Sequence, residues 1–187
     1  MNAGRGMSSL VLIGPMGAGK TSIGRRVAKA LGVPFTDTDA LVVREHGPIE
    51  KIFAELGEAR FREIERAAVA VALESEGVVA LGGGAVTDAG TRALLGRHRV
   101  VLLTVEPRIV AARIAGTSRP LLAGEAPVVR WQEIYAARRP VYEELADATF
   151  DTSRGPLSAV VDAIAAWAAA AEQGEKGAQT NEEGRSA

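Results

Sequence analysis

Apolar residues along this chain follow two alternating rhythms. Five short, nearly continuous apolar runs have strand length and end at turn or polar residues: "SLVLIG" (9–14), "VPFTD" (33–37), "GVVAL" (77–81), "RVVLLTV" (99–105) and "ATFDT" (148–152). Between them, apolar residues recur at helical spacing. "KTSIGRRVAKAL" (20–31) puts Ile23, Val27, Ala30 and Leu31 on one predicted face. "ALVVREHG" (40–47) and "PIEKIFAELG" (48–57) each close on a glycine suited to a left-handed C-terminal position. "EARFREIERAAVAVALES" (58–75) predicts a long helix with Phe61, Ile64, Ala68, Val71 and Ala72 inward. "PRIVAARIA" (107–115) begins a helix with proline in its first turn. "VVRWQEIYAARRPVYEEL" (128–145) is helical, and Pro140 predicts a kink or a restart. "PLSAVVDAIAAWAAAAE" (156–172) closes the domain as a helix.

This alternation predicts an α/β fold: one five-stranded parallel sheet flanked by helices on both faces. Ligands of such sheets sit beyond the carboxyl ends of the strands. One domain should span 1–172. The turn-rich stretch "GTSRPLLAGEAP" (116–127) lies between two helices and is expected to form a mobile lid over about 114–127. The final stretch, 173–187, lacks apolar periodicity and is expected to be a disordered tail.

Composition narrows the chemistry. The 187 residues carry a net charge of -1, which argues against a polyanion-binding surface, so no nucleic-acid partner is expected. Cysteine is absent, which excludes disulfides, thiolate metal sites and a cysteine nucleophile. The two histidines, His46 and His98, lie near element ends, without ligand spacing, and are expected at the surface. No apolar run reaches bilayer length, so the expectation is a cytoplasmic protein without a membrane partner.

"GPMGAGKT" (14–21) matches G-x-x-x-x-G-K-[ST] between a strand and a helix. Its glycines let backbone N–H groups converge on phosphate oxygens, and the helix N-terminus adds positive potential. Gly17, Ala18 and Gly19, with Lys20, Thr21 and Ser22 opening the helix, are the candidate nucleotide-binding residues. Lys20 would reach the β- and γ-phosphates and the Thr21 hydroxyl would ligate magnesium. The bland alternative is a turn that merely joins strand to helix.

The second strand runs into "DTD" (37–39). Strand alternation would send Asp37 and Asp39 to the same side. In a phosphoryl-transfer site Asp37 would hold magnesium, and Asp39 would orient an acceptor hydroxyl and take its proton. Alternatively, Asp39 caps the next helix and Asp37 is solvated.

Three more segments, "GEARFREIE" (57–65), "LGGGAV" (81–86) and "RRPVY" (138–142), join "GPMGAGKTSIG", "DTD" and "RPLL". In this order the six motifs, from about Leu10 to Trp167, resemble the shikimate kinase family. The resemblance implies a P-loop, nucleoside-monophosphate-kinase-like fold with a moving lid, working as a monomer. It implies transfer of the ATP γ-phosphate to the 3-hydroxyl of shikimate, with Mg2+. Arg62 and Arg138 match the carboxylate-binding arginines, and a guanidinium fork suits a carboxylate better than lysine does. Arg62 could instead belong to a helical ion pair with Glu58 or Glu65, and Glu65 could hold Arg62 at its angle. Arg139 competes with Arg138 for the inward position. By the same match, Gly83 and Gly84 approach shikimate, and Gly82 lies nearer the γ-phosphate and metal. Phe61 is either a wall of the substrate pocket or core. Arg119 is the lid arginine acting on the transferring phosphoryl group, and Arg113 and Arg154 flank adenine.

The departures are small: Thr21 stands where serine is commoner, and the stretch after Arg119 is compressed or shifted. A gluconate kinase or another P-loop small-molecule kinase is the competing enzyme. A non-catalytic nucleotide-binding module is the competing class, and its mark would be a missing Lys20, Asp39 or Arg119.

Overall fold

The computed structural model describes residues 9–114 and 126–183, with Ile114 and 171–183 as backbone only. Five strands, β1 (Leu10–Ile13), β2 (Phe35–Asp37), β3 (Val78–Ala80), β4 (Arg99–Thr104) and β5 (Ala148–Asp151), form one sheet in the order β2-β3-β1-β4-β5. Every pairing is parallel, so each connection must cross over the sheet, and the helical segments do this. The helices are α1 (Lys20–Leu31), α2 (Thr38–His46), α3 (Ile49–Leu73), α4 (Ala89–Leu95), α5 (Pro107–Ile114), α6 (Pro127–Leu145) and α7 (Leu157–Glu183), with a 3-10 turn at Ala85–Thr87.

The central strands alternate between two apolar layers. Leu10, Leu12, Val101 and Leu103 face Ile23 and Val27 of α1 and Val161 and Ile164 of α7. Val11, Ile13, Val100 and Leu102 face Val69 and Ala72 of α3 and Leu95 of α4. Helix α6 belongs to both layers: Trp131 lies in the first and Tyr142 in the second. It therefore reaches from one face of the sheet to the other. A third cluster, Val42, Ile52, Phe61, Ile64 and Ala68, fastens α2 to α3.

Several expectations are adjusted. On α1 the buried set is Ile23, Gly24, Val27 and Ala28, while Ala30 is exposed. On α3 Val71 is exposed and Val69 is buried in its place. That face also carries the buried Glu65. Gly57 has φ 77 and ψ 170, so α3 is two helical stretches joined at the glycine that was expected to close the first. Helix α6 runs through Pro140 without restarting. Helix α7 continues to Glu183, past the boundary expected at 172. Residues 173–183 hold three Glu and two Gln, which favour helix, together with Gly174 and Gly177, which do not. His98 is half-buried rather than solvated, and its Nδ1 accepts from the Ser9 N–H at 3.1 Å. Among the described residues no helix is long and apolar enough to cross a membrane.

Candidate active site

The loop after β1 turns on glycines. Gly14 takes φ 136, and its missing side chain leaves room for the Leu103 backbone. Gly19 caps α1 in the left-handed conformation, with φ 89 and ψ 17, and makes no side-chain cap bond. The first amides of α1 therefore stay open toward the loop mouth. Lys20 lies in that mouth, its Nζ donating to the carbonyls of Gly14 (2.8 Å) and Pro15 (3.0 Å). Ala18 is fully buried beneath the loop, while Thr21 and Ser22 are exposed. Two distant groups brace the loop: Arg113 Nη1 donates to Gly17 O at 2.9 Å, and Trp131 Nε1 donates to Met16 O at 2.9 Å.

The two aspartates do not share a strand. β2 stops at Asp37, and Thr38 already belongs to α2. Asp37 is the N-cap: its Oδ1 accepts from the N–H groups of Asp39 (3.0 Å) and Ala40 (3.2 Å). Capping thus falls to Asp37, not Asp39, and strand alternation does not govern where the pair points. The other oxygen, Asp37 Oδ2, accepts from the Thr21 hydroxyl at 2.6 Å. Asp39 sits in the first turn of α2 and turns instead toward Gly82.

Between them, Thr38 is completely buried and ties two strand ends together. Its hydroxyl donates to Ala80 O at 3.3 Å and accepts from the Gly82 N–H at 3.1 Å. That bond places Gly82–Gly84 over the Asp39 carboxylate. A side-chain carbon at Gly82 would lie 2.5 Å from Asp39 Oδ1 and 2.6 Å from Glu65 Oε1, so both carboxylates reach this one spot. A carbon at Gly84 would lie 2.7 Å from Arg62 Nη2. None of the three glycines has positive φ; two of them are required for space.

Arg62 is held from both sides, Nη1 donating to Glu65 Oε2 at 2.6 Å and Nη2 to Glu58 Oε1 at 3.0 Å. Both helical ion pairs that the sequence offered to Arg62 are formed. Burial pushes the Glu65 carboxyl above the usual carboxylate range; Arg62 partly offsets this, Asp39 adds to it, and Arg138 opposes it. Across the loop, Arg138 Nη1 donates to Gly83 O at 3.1 Å. Arg139 is exposed and paired with Glu143 at 2.6 Å, so it is Arg138 that faces Gly83. Tyr142 donates to the same Gly83 oxygen at 2.5 Å. Burial raises its pKa to about 12, so it stays a protonated donor.

Other candidates are placed differently. Phe61 is 4% exposed in the α2–α3 cluster, with Arg62 Cζ 5.2 Å above its ring, so it supports the arginine and has no open face. Arg113 also donates to Thr152 O and Oγ1, at 2.9 and 3.2 Å, which makes it a brace between the phosphate loop and the end of β5. Arg154 is exposed and pairs with Glu106 at 3.2 Å. Arg119 and nearly all of the expected lid lie outside the described residues. Sequence reasoning assigned no site role to Thr38, Trp131 or Tyr142. Of these only Tyr142 carried a signal, its fixed distance from Arg138 in "RRPVY".

The donor set at the loop mouth suits a hard divalent cation. Thr21 Oγ1 and Asp37 Oδ2 are adjacent oxygens, and magnesium takes few protein ligands beside water and phosphate. Among the described residues no group of three or more His, Asp or Glu side chains gathers for a cation that needs more.

Comparison with known proteins gives a consistent result. A family model described as shikimate kinase matches residues 16–169. A shikimate kinase of Mycobacterium avium (strain 104) is 48% identical over 154 residues, covering 81% of this chain and 88% of that protein. Among solved structures, a shikimate kinase from Acinetobacter baumannii in complex with shikimate superposes with TM-score 0.81 at 35% identity, covering 86% of this chain and 92% of that one. A gluconokinase from Sinorhizobium meliloti superposes less well, with TM-score 0.58 at 26% identity over 83% of this chain and 87% of that one.

Proposed function

This chain belongs to the shikimate kinase family, and we propose that it transfers the γ-phosphate of ATP to the 3-hydroxyl of shikimate. The product, shikimate 3-phosphate, belongs to the route to chorismate and the aromatic amino acids. One observation carries the reading: two guanidinium groups, Arg62 and Arg138, bracket the Gly83–Gly84 backbone, with the Asp39 carboxylate beside Gly82. Shikimate offers one carboxylate and three ring hydroxyls. Paired arginines fix the carboxylate, which leaves a hydroxyl as the group to be presented to a base.

In this reading Asp39 accepts a hydrogen bond from the 3-hydroxyl and takes its proton as the oxygen attacks phosphorus. A loose transition state demands little of that base, so an ordinary carboxylate suffices. Glu65 holds Arg62 at its angle. Backbone N–H groups of Gly17, Ala18 and Gly19, continued by Lys20, Thr21 and Ser22 at the start of α1, cradle the phosphates, and Lys20 turns from the loop carbonyls to the β- and γ-phosphate oxygens. Thr21 and Asp37 would hold Mg2+, which when bound would offset the negative charge of the phosphates. Arg119, brought in by the lid, would add charge stabilisation at the phosphoryl group and help exclude water. Arg113 and Arg154 would flank adenine. We further propose that the enzyme acts as a cytoplasmic monomer, with no membrane or nucleic-acid partner.

The test is a coupled assay with shikimate, gluconate and nucleoside monophosphates as acceptors at equal concentration. ADP release should follow shikimate alone. Turnover on gluconate without shikimate turnover would replace this reading with the gluconate-kinase one, and ATP binding without any phosphorylated product would favour the non-catalytic module.

A further inference from the structure

Tyr142 has no part in the mechanism above, yet it is 1% exposed and directs its hydroxyl at the loop where the acceptor is expected. Residues 138 and 142 are one turn apart on α6 and share a face. Their donors converge on one atom, the Gly83 carbonyl oxygen, at 3.1 Å from Arg138 Nη1 and 2.5 Å from Tyr142. That oxygen has two lone pairs, and both are satisfied by α6. Because the peptide is planar and trans, holding this carbonyl toward α6 points the Gly84 N–H away from it.

Arg138 gives one Nη1 N–H to Gly83 O, and an acceptor carboxylate that draws the guanidinium toward itself competes with that bond. When the guanidinium turns to the incoming carboxylate, its bond to Gly83 O weakens or breaks. We propose that Tyr142 is a positioning residue for acceptor binding: it keeps the Gly83 carbonyl satisfied while Arg138 is released to the substrate carboxylate. The inference rests on the shikimate kinase reading. In a Tyr142→Phe protein the carbonyl has Arg138 alone, so each binding event leaves a partly buried acceptor without a partner. An orphaned acceptor weakens binding by roughly tenfold.

Phenylalanine keeps the ring and its contact with Tyr135, whose centroid is 6.3 Å away, so the change removes the hydroxyl alone. In Tyr142→Phe the shikimate Kd, measured by calorimetry on the full chain, should rise about tenfold, with ATP Kd and kcat within twofold. In an Arg138→Ala background the same change should leave shikimate Kd unaltered, because the two residues act as one unit. Unchanged shikimate affinity in Tyr142→Phe, or equal weakening for ATP, would overturn the proposal. The chain has two tyrosines, which allows a second measurement that does not depend on how Tyr142→Phe folds. With Tyr135→Phe and 3-fluorotyrosine incorporation, Tyr142 is the sole fluorine label. Its resonance should shift on shikimate addition and not on ADP addition; no shift with bound shikimate overturns the proposal. Failure of the wild-type chain to bind shikimate would instead remove the functional reading, and this inference with it.

Discussion

Replacing Gly82 by alanine adds one carbon at the point where the proposed base and the Arg62 partner meet. That carbon would lie 2.5 Å from Asp39 Oδ1 and 2.6 Å from Glu65 Oε1, against about 3.4 Å where ordinary contact begins. The backbone raises no objection, since Gly82 does not have positive φ. The carboxylates must yield by nearly an ångström. Glu65 is tethered to Arg62 at 2.6 Å, and Asp39 is rooted in the first turn of α2, so the added carbon presses on both carboxylates. A base misplaced by about 1 Å costs on the order of 100-fold in rate, or about 2.7 kcal/mol of barrier. Gly82→Ala should therefore lower kcat about 100-fold in the coupled assay, with ATP Kd unchanged by titration and the circular-dichroism spectrum retained. Gly84→Ala is the companion. Its carbon would lie 2.8 Å from Arg62 Cζ, so it should raise shikimate KM and affect kcat less. A kcat within threefold of wild type in folded Gly82→Ala would refute the placement of Asp39 at the reacting hydroxyl. So would the reverse pattern, kcat lost in Gly84→Ala and KM raised in Gly82→Ala.

Asp37 has two duties that substitution can separate. Asp37→Asn keeps a good N-cap while weakening the metal, so magnesium titration of activity should shift to higher concentration at nearly unchanged Tm; Asp37→Ala should lose about 1 kcal/mol of stability as well. Arg138→Ala should raise shikimate Kd by roughly 30-fold, the worth of a charge-assisted pair, whereas Arg139→Ala, on an exposed ion pair, should stay within twofold; equal effects would place the wrong arginine in the site. Burial, with Arg97 nearby, lowers the pKa of His98, so its folded value lies below the unfolded value of about 6.5. The unfolded chain then binds more protons, and the stability from neutral His98 is present above that pH and lost as pH falls through the window below it. Thermal melts should show Tm falling more steeply from pH 7 to pH 5 in wild type than in His98→Asn, and parallel curves would refute the assignment.

Much of this architecture could be read locally. Five apolar runs separated by helical periods gave a parallel α/β sheet, because strand and helix periods depend on near neighbours. The phosphate loop was legible for the same reason: its glycines, lysine and threonine act within eight consecutive residues. Gly57 was legible too, as a break in a helical pattern. Val71 and Ala30 were misplaced because periodicity defines a stripe but not its centre. That centre depends on what the helix packs against.

What the order of residues determined by itself was the set of elements, the phosphate cradle and the family whose motifs follow one another here. Folding alone decided how the polar atoms pair. Asp37 took the cap because β2 ended two residues earlier than alternation required. Arg138 rather than Arg139 faced Gly83 because it lies on the helical face of α6 that also carries the buried Trp131 and Tyr142. Gly82 and Gly84 had to be glycine for the sake of side chains from α2 and α3, distant in sequence. Hydrogen-bond partners and excluded volume depend on distances between segments that only the packed chain brings together.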